Sequence, residues 1–172
     1  MTESIPNFRR LSNKLLTSGQ PAREQFSLVR DEGCCLVVNL AMPNSDGFLP
    51  DEGEIVEGLG MRYVAIAIAW DAPQLDDARQ LFEVLQTHRD HRVLVHCAMN
   101  MRVSALMFIY RTQCEGVDEA VALRDLHAIW TPNETWQKFM DDVKNDMHDV
   151  RTSMDVVRER DCSAKESRQS GA

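Results

Sequence analysis

Apolar residues recur along this chain in short bursts that alternate between two periods. Val37-Val38-Asn39-Leu40 and Val93-Leu94-Val95-His96 are runs of buried-strand length, and Arg62-Tyr63-Val64-Ala65-Ile66-Ala67-Ile68 has the branched and small residues of another. Between them the period lengthens: Leu75, Ala78, Leu81, Phe82 and Leu85 fall on one face of a helix from about Leu75 to His88. Phe8 to Ser18 reads as an extended pair or hairpin. Pro21 opens a helix to about Glu32, ended by Gly33, and the Leu36 to Leu40 strand follows. A polar loop from Ala41 to Phe48 precedes a short helix near Asp51 to Leu59, ended by Gly60. The run Ala105 to Tyr110 continues to about Cys114 as a helix apolar nearly all round, as a helix enclosed by others should be. Another helix, Val117 to Ile129, follows Gly116. Thr131-Pro132-Asn133-Glu134 then carries a start signal: a capping hydroxyl, Pro in the first helical position and Glu three after the cap.

Strands alternating with helices predict a single α/β domain with a largely parallel central sheet flanked by helices. The domain is expected over 1–150. The polar stretch 151–172, ending in Ser, Gly and Ala, reads as a disordered tail.

Length and charge narrow the function classes. A chain of 172 residues suits one domain with a substantial core. No stretch approaches the ~20 apolar residues of a membrane span. Met1-Thr2-Glu3-Ser4 lacks the basic flank and apolar core of a signal peptide, so a cytoplasmic location is expected. Cys34, Cys35, Cys97, Cys114 and Cys162 show no metal-type spacing, and a reducing compartment suits them. Adjacent Cys34 and Cys35 are expected to pack at a strand start. The net charge of −8 argues against a nucleic-acid or anionic-membrane partner. Any anion site must therefore be a local positive spot in a negative field. Such a field favours a phosphate on a neutral or basic peptide, or a small ester, over very acidic substrates.

One segment encodes such a spot. Arg92 to His96 is a strand, Cys97-Ala98-Met99-Asn100-Met101-Arg102 a tight loop, and the residues after it a buried helix. The first N–H groups of a helix have no intrahelical partners, and its dipole adds positive charge where they converge. A thiol in such a field ionises more readily than its unperturbed pKa of about 8.5 allows. An arginine there can hold two oxygens of one anion through paired hydrogen bonds. A lone cysteine ending a strand is more often a small core residue. Arg102 weighs against that reading, because a charge between two buried elements is costly unless an anion pairs with it.

These residues resemble the cysteine-dependent protein phosphatases, in particular the dual-specificity-like and bacterial tyrosine phosphatase-like members. His96, Cys97, Arg102 and Ser104 match the family's strand-His-Cys-loop-Arg-Ser signature, and the likeness runs from about Phe8 to about Phe139. It includes Ser18-Gly19-Gln20-Pro21, Val37-Val38-Asn39-Leu40, and Ile66 to Ile68 before an acidic loop. The resemblance implies phosphomonoester hydrolysis without metal or other cofactor, on a phosphoprotein or small phosphate ester. Cys97 would be the nucleophile that becomes phosphocysteine, Arg102 and the loop residues Ala98, Met99, Asn100 and Met101 the phosphate holders, and an aspartate the acid. The chain departs from the family in two ways. Four residues rather than five separate Cys97 from Arg102, and the loop has no glycine, so Asn100 alone tolerates the left-handed region well.

The shorter spacing also resembles rhodanese-like sulfurtransferases, in which Cys97 would carry a persulfide. A third reading is a phosphate-binding module without turnover. A carboxylate near the loop separates phosphatase from sulfurtransferase. Trp70-Asp71-Ala72-Pro73 follows a strand's carboxyl end, where ligands sit in open α/β sheets, so Asp71 is the candidate general acid. Asp76 and Asp77 are fallbacks better placed for capping. His96 should point away from Cys97, because strand neighbours face opposite sides, and hold the loop through backbone bonds. Ser104 reads equally as a thiolate partner or a local cap. Trp130 and Asn133 read as parts of aromatic packing and of the Thr131-capped helix start more than as parts of a pocket.

Overall fold

The computed structural model describes residues 1–148, so the expected tail at 151–172 lies outside the described residues. The strands are β1 (Arg9–Arg10), β2 (Leu15–Ser18), β3 (Cys34–Asn39), β4 (Arg62–Ala65) and β5 (Arg92–His96). The helices are α1 (Phe26–Asp31), α2 (Glu52–Gly58), α3 (Leu75–Thr87), α4 (Met101–Cys114), α5 (Glu119–His127) and α6, over 134–148. One sheet runs in the order β1-β2-β5-β3-β4. Only β1 is antiparallel, forming the expected hairpin with β2. The chain is thus the α/β domain expected, with β5 in the middle of the sheet.

Alternation along the strands divides the core in two. Leu15, Leu36, Val38, Val93 and Val95 face α3, α4, α5 and α6. Leu16, Val37 and Leu94 face α1 and α2, where Phe26, Val29 and Val56 meet them. α4 is buried at every position from Arg102 to Arg111, as its all-round apolarity demands.

Four local readings are corrected. The strand at Tyr63 is not buried: β4 lies at the sheet edge with Arg62 and Ala65 exposed, because its small and branched residues have a neighbour on one side only. Pro21 does not start the first helix; a 3-10 turn at Arg23–Gln25 intervenes before Phe26. The last helix is capped by Asn133 rather than Thr131. The Asn133 side chain accepts from the Trp136 N–H at 3.0 Å, and fully buried Trp136 sets the phase. Cys34 packs at the start of β3 as expected, and burial pushes its thiol up to about 12, but exposed Cys35 is the extra residue of a bulge.

Because β2, β3, β4 and β5 are parallel, their carboxyl ends share one edge of the sheet. The last residues of three of them, Ser18, His96 and Asn39, pair in one buried row there. The loop after β5 crosses above this row.

Candidate active site

The loop joins β5 to α4 through Cys97, Ala98, Met99 and Asn100. Asn100 takes φ 64°, the left-handed conformation its sequence suggested, and caps α4, its carbonyl accepting the Ser104 N–H at 2.9 Å. The amino end of α4 therefore opens onto the loop, and its unpaired N–H groups and dipole favour an anion there.

Arg102, in the first turn of α4, is only 8 % exposed. Its Nη2 donates to Ser45 Oγ at 3.3 Å, and its guanidinium lies 5.9 Å from the Trp70 ring. Among the described residues Nε and Nη1 find no hydrogen-bond partner. A buried guanidinium with two unsatisfied donors is strongly unfavourable alone, and an oxyanion would supply the missing acceptors.

Cys97 is 1 % exposed and belongs to the larger core, together with Val95 and Val103. The sulfur is thus below the protein surface, as either a core residue or the floor of a closed pocket would be. His96 faces the other side of the sheet, as strand geometry requires, with its ring edge-on to Phe26. Its carbonyl accepts the Leu40 N–H at 2.8 Å, tying β5 to β3 beneath the loop.

His96 Nε2 lies 2.8 Å from Glu52 Oε1, and Glu52 is 1 % exposed. Asn39 Nδ2 donates to the same carboxylate at 2.9 Å, and Gln20 Nε2 donates to its other oxygen. Burial would raise the Glu52 pKa, but the hydrogen bonds and charge from His96, with Gln20 and Tyr63, hold it below the usual carboxylate value. Glu52 is therefore ionised at neutral pH. Burial and the Glu52 charge push the Tyr63 phenol up to about 12. Sequence reasoning missed Glu52, although it shares the buried face of α2 with Val56 four residues on. The backbone of Gln20 holds the loop as well, its N–H donating to Ala98 O at 3.0 Å.

Asp71 is exposed and adjoins Trp70, whose ring stacks on Trp130 and Trp136 at 5.2 and 5.6 Å between centroids. Trp136 Nε1 donates to Trp70 O at 3.0 Å, so the cluster pins Trp70, the residue before Asp71, against Arg102. Asp76 pairs with Arg79, and Asp77 accepts the Gln74 N–H at the start of α3. Ser104 Oγ donates to Met101 O at 3.0 Å and accepts from Trp130 Nε1 at 3.2 Å. Trp130 thus both packs and borders the site. Met99, half exposed at 51 %, and Ala98 form the outer part of the loop. The arrangement sets the Arg102 guanidinium, at the start of the helix that follows the Cys97 loop, against the ring of Trp70. Its two guanidinium donors without a partner among the described residues suit an oxyanion, and a carboxylate, Asp71, follows the guanidinium's aromatic neighbour in the chain.

No family model matches the chain, and no curated protein does. Solved structures do. The "putative phosphatase (DUF442)" of Shewanella putrefaciens CN-32 is 30 % identical, the match covering 84 % of this chain and 95 % of that one, with a TM-score of 0.76. PTPMT1 in complex with PI(5)P matches at 13 % identity over 84 % and 98 % of the two chains, with a TM-score of 0.71. P. aeruginosa TpbA in complex with pTyr matches at 20 % identity over 83 % and 90 %, with a TM-score of 0.59. The latter two share the fold.

Proposed function

This chain belongs to the DUF442 phosphatase-like family, among the cysteine-based, protein tyrosine phosphatase-like proteins, and on that premise we propose that it hydrolyses phosphate monoesters through a phosphocysteine at Cys97. The observation that carries the proposal is the buried Arg102 guanidinium, with Nε and Nη1 unpartnered among the described residues, at the mouth of α4 next to the Cys97 loop. The Cys97 thiolate attacks phosphorus and the P–O bond to the leaving group breaks. Asp71 delivers its proton to the departing oxygen. Water then attacks the phosphocysteine, Asp71 takes a proton from it, and inorganic phosphate leaves with the thiolate restored. Arg102 and the loop N–H groups hold the non-bridging oxygens as charge redistributes over them. No metal is assigned a role. The PI(5)P and pTyr bound by the two structural neighbours support a phosphate ester as the substrate class. Family membership favours phosphoryl transfer over the sulfur transfer of a Cys97 persulfide.

The burial of Cys97 favours one second reading, a phosphate-binding module without turnover. Incubation of the pure protein with a chromogenic aryl phosphate in the presence of a chelator separates the two. Turnover is expected in the wild type, none in Cys97→Ser, and a fall of about 10²-fold or more in Asp71→Asn. Activity surviving in Cys97→Ser overturns the mechanism. Phosphate binding without turnover in the wild type establishes the binding module instead.

A further inference from the structure

Two asparagines bind backbone carbonyls of each other's segments across the loop. Asn100 is fully buried, and its Nδ2 donates to Asn7 O at 2.8 Å and to Thr17 Oγ1 at 3.1 Å. Asn7 Nδ2 in turn donates to Met99 O at 3.0 Å. Both residues are left-handed, at φ 50° and 64°, and they are the only described non-glycine residues with positive φ. The orientation of the Asn100 amide is dictated by its partner: a backbone carbonyl only accepts, so the NH₂ end must face Asn7. The Asn100 Oδ1 end finds no partner among the described residues, a cost that this grip has to offset.

The segment that carries Asn7 is itself anchored. Ile5 is 1 % exposed in the smaller core, Phe8 N–H closes a turn onto Ile5 O at 3.2 Å, and Pro6 O accepts the Gly19 N–H at 2.7 Å. Pro in the second position and a left-handed residue in the third suit such a turn. The amino-terminal segment, the end of β2 and the anion loop are thus laced together at Asn7, Thr17, Gly19, Met99 and Asn100.

Resting on the phosphatase reading above, we infer that Asn7 and Asn100 are positioning residues: their reciprocal clamp makes residues 5–8 a working part of the phosphate loop. Asn100 caps α4, so the clamp determines where the first N–H groups of the helix and Arg102 point. A glycine would meet the φ requirement alone. Asparagine adds two tethers, and these hold a loop with only four residues between Cys97 and Arg102.

The test is therefore Asn100→Gly, which keeps the backbone conformation and deletes only the side-chain bonds. Asn7→Gly does the same for the bond to Met99 O. Both are expected to fold, with a cooperative thermal melt. Aryl phosphate turnover should show kcat lowered about tenfold or more, inorganic phosphate should bind more weakly by calorimetry, and the double variant should be little worse than either single one. Amide hydrogen exchange at Gly19 and Gln20, whose N–H groups donate to Pro6 O and Ala98 O, should accelerate at least tenfold, after correction for intrinsic rates, by the same loosening. Wild-type kcat and wild-type exchange in Asn100→Gly overturn the clamp. A wild type without turnover refutes the catalytic reading alone, and exchange then decides the clamp.

Discussion

Gly19 offers the sharpest test of how the loop is held. A methyl group placed there would stand 2.8 Å from Ala98 O, 3.0 Å from Pro6 O and 3.2 Å from Pro6 Cβ. Two of these neighbours are backbone oxygens, which cannot swing away as a side chain can, and Ala98 O must retreat by roughly 0.6 Å to reach ordinary contact. The φ of Gly19 is not positive, so the demand is for space rather than for a left-handed backbone. Overpacking of this kind costs ~1–3 kcal/mol, and the stiffer unfolded chain returns ~0.4–1 kcal/mol. Gly19→Ala should therefore lose about 1–2 kcal/mol, lowering Tm by ~2–8 °C for a chain of this size. The larger effect falls on function. Because the displaced carbonyl belongs to the loop between Cys97 and Arg102, kcat/KM toward an aryl phosphate should fall about 10- to 100-fold. Gly58→Ala is the control: a Cβ there meets nothing within 4 Å, and alanine in α2 should be neutral or stabilising by up to ~1 kcal/mol. Gly19→Ala with wild-type kcat/KM and an unshifted Tm would refute the argument that Gly19 is the loop's floor.

Glu52→Gln keeps the size of the buried carboxylate and should cost ~1–3 kcal/mol at pH 7. The folded Glu52 pKa is depressed below its ordinary value of 4.5, so its contribution is complete above that pH and disappears as pH falls through the folded value. Urea melts of both proteins at pH 7 and below 4.5 should accordingly show the gap closing on acidification; a gap constant with pH contradicts the assignment. Arg102→Lys replaces a fork by a point charge and should lower kcat/KM about 10²–10³-fold with little change in Tm, whereas wild-type kinetics would remove Arg102 from phosphate holding. Ser104→Ala strands the Trp130 indole N–H and should cost ~1–3 kcal/mol in a denaturant melt, with turnover within a few-fold of wild type. A 100-fold fall in kcat at unchanged stability would instead put Ser104 to work on the sulfur.

Most of the fold was legible because its elements carry local signals. Runs such as Val93-Leu94-Val95 and the face of Leu75, Ala78, Leu81, Phe82 and Leu85 show their period directly, and the observed β5 and α3 match them within a residue or two. The glycine-free loop was legible too, since Asn100 was its one residue suited to positive φ. Edge and centre were not: β4 carries the composition of a buried strand, and only the strand order leaves it with one neighbour. Nor does Asn133 outrank Thr131 as a cap in the string of residues; the packing of Trp136 decides between them.

The sequence by itself determined the α/β alternation, the acidic charge balance and the succession Cys97 to Arg102, because periodicity, charge and spacing are properties of neighbours along the chain. Only the tertiary structure decided that Glu52 lies under His96, that Asn100 holds the Asn7 carbonyl from 93 residues away, that the Trp70 ring lies against Arg102, and that Cys97 lies below the surface. Each of these is a contact between distant segments. Their cost in chain entropy and desolvation is met collectively by the two cores on either side of the sheet, and no local window of residues contains that balance.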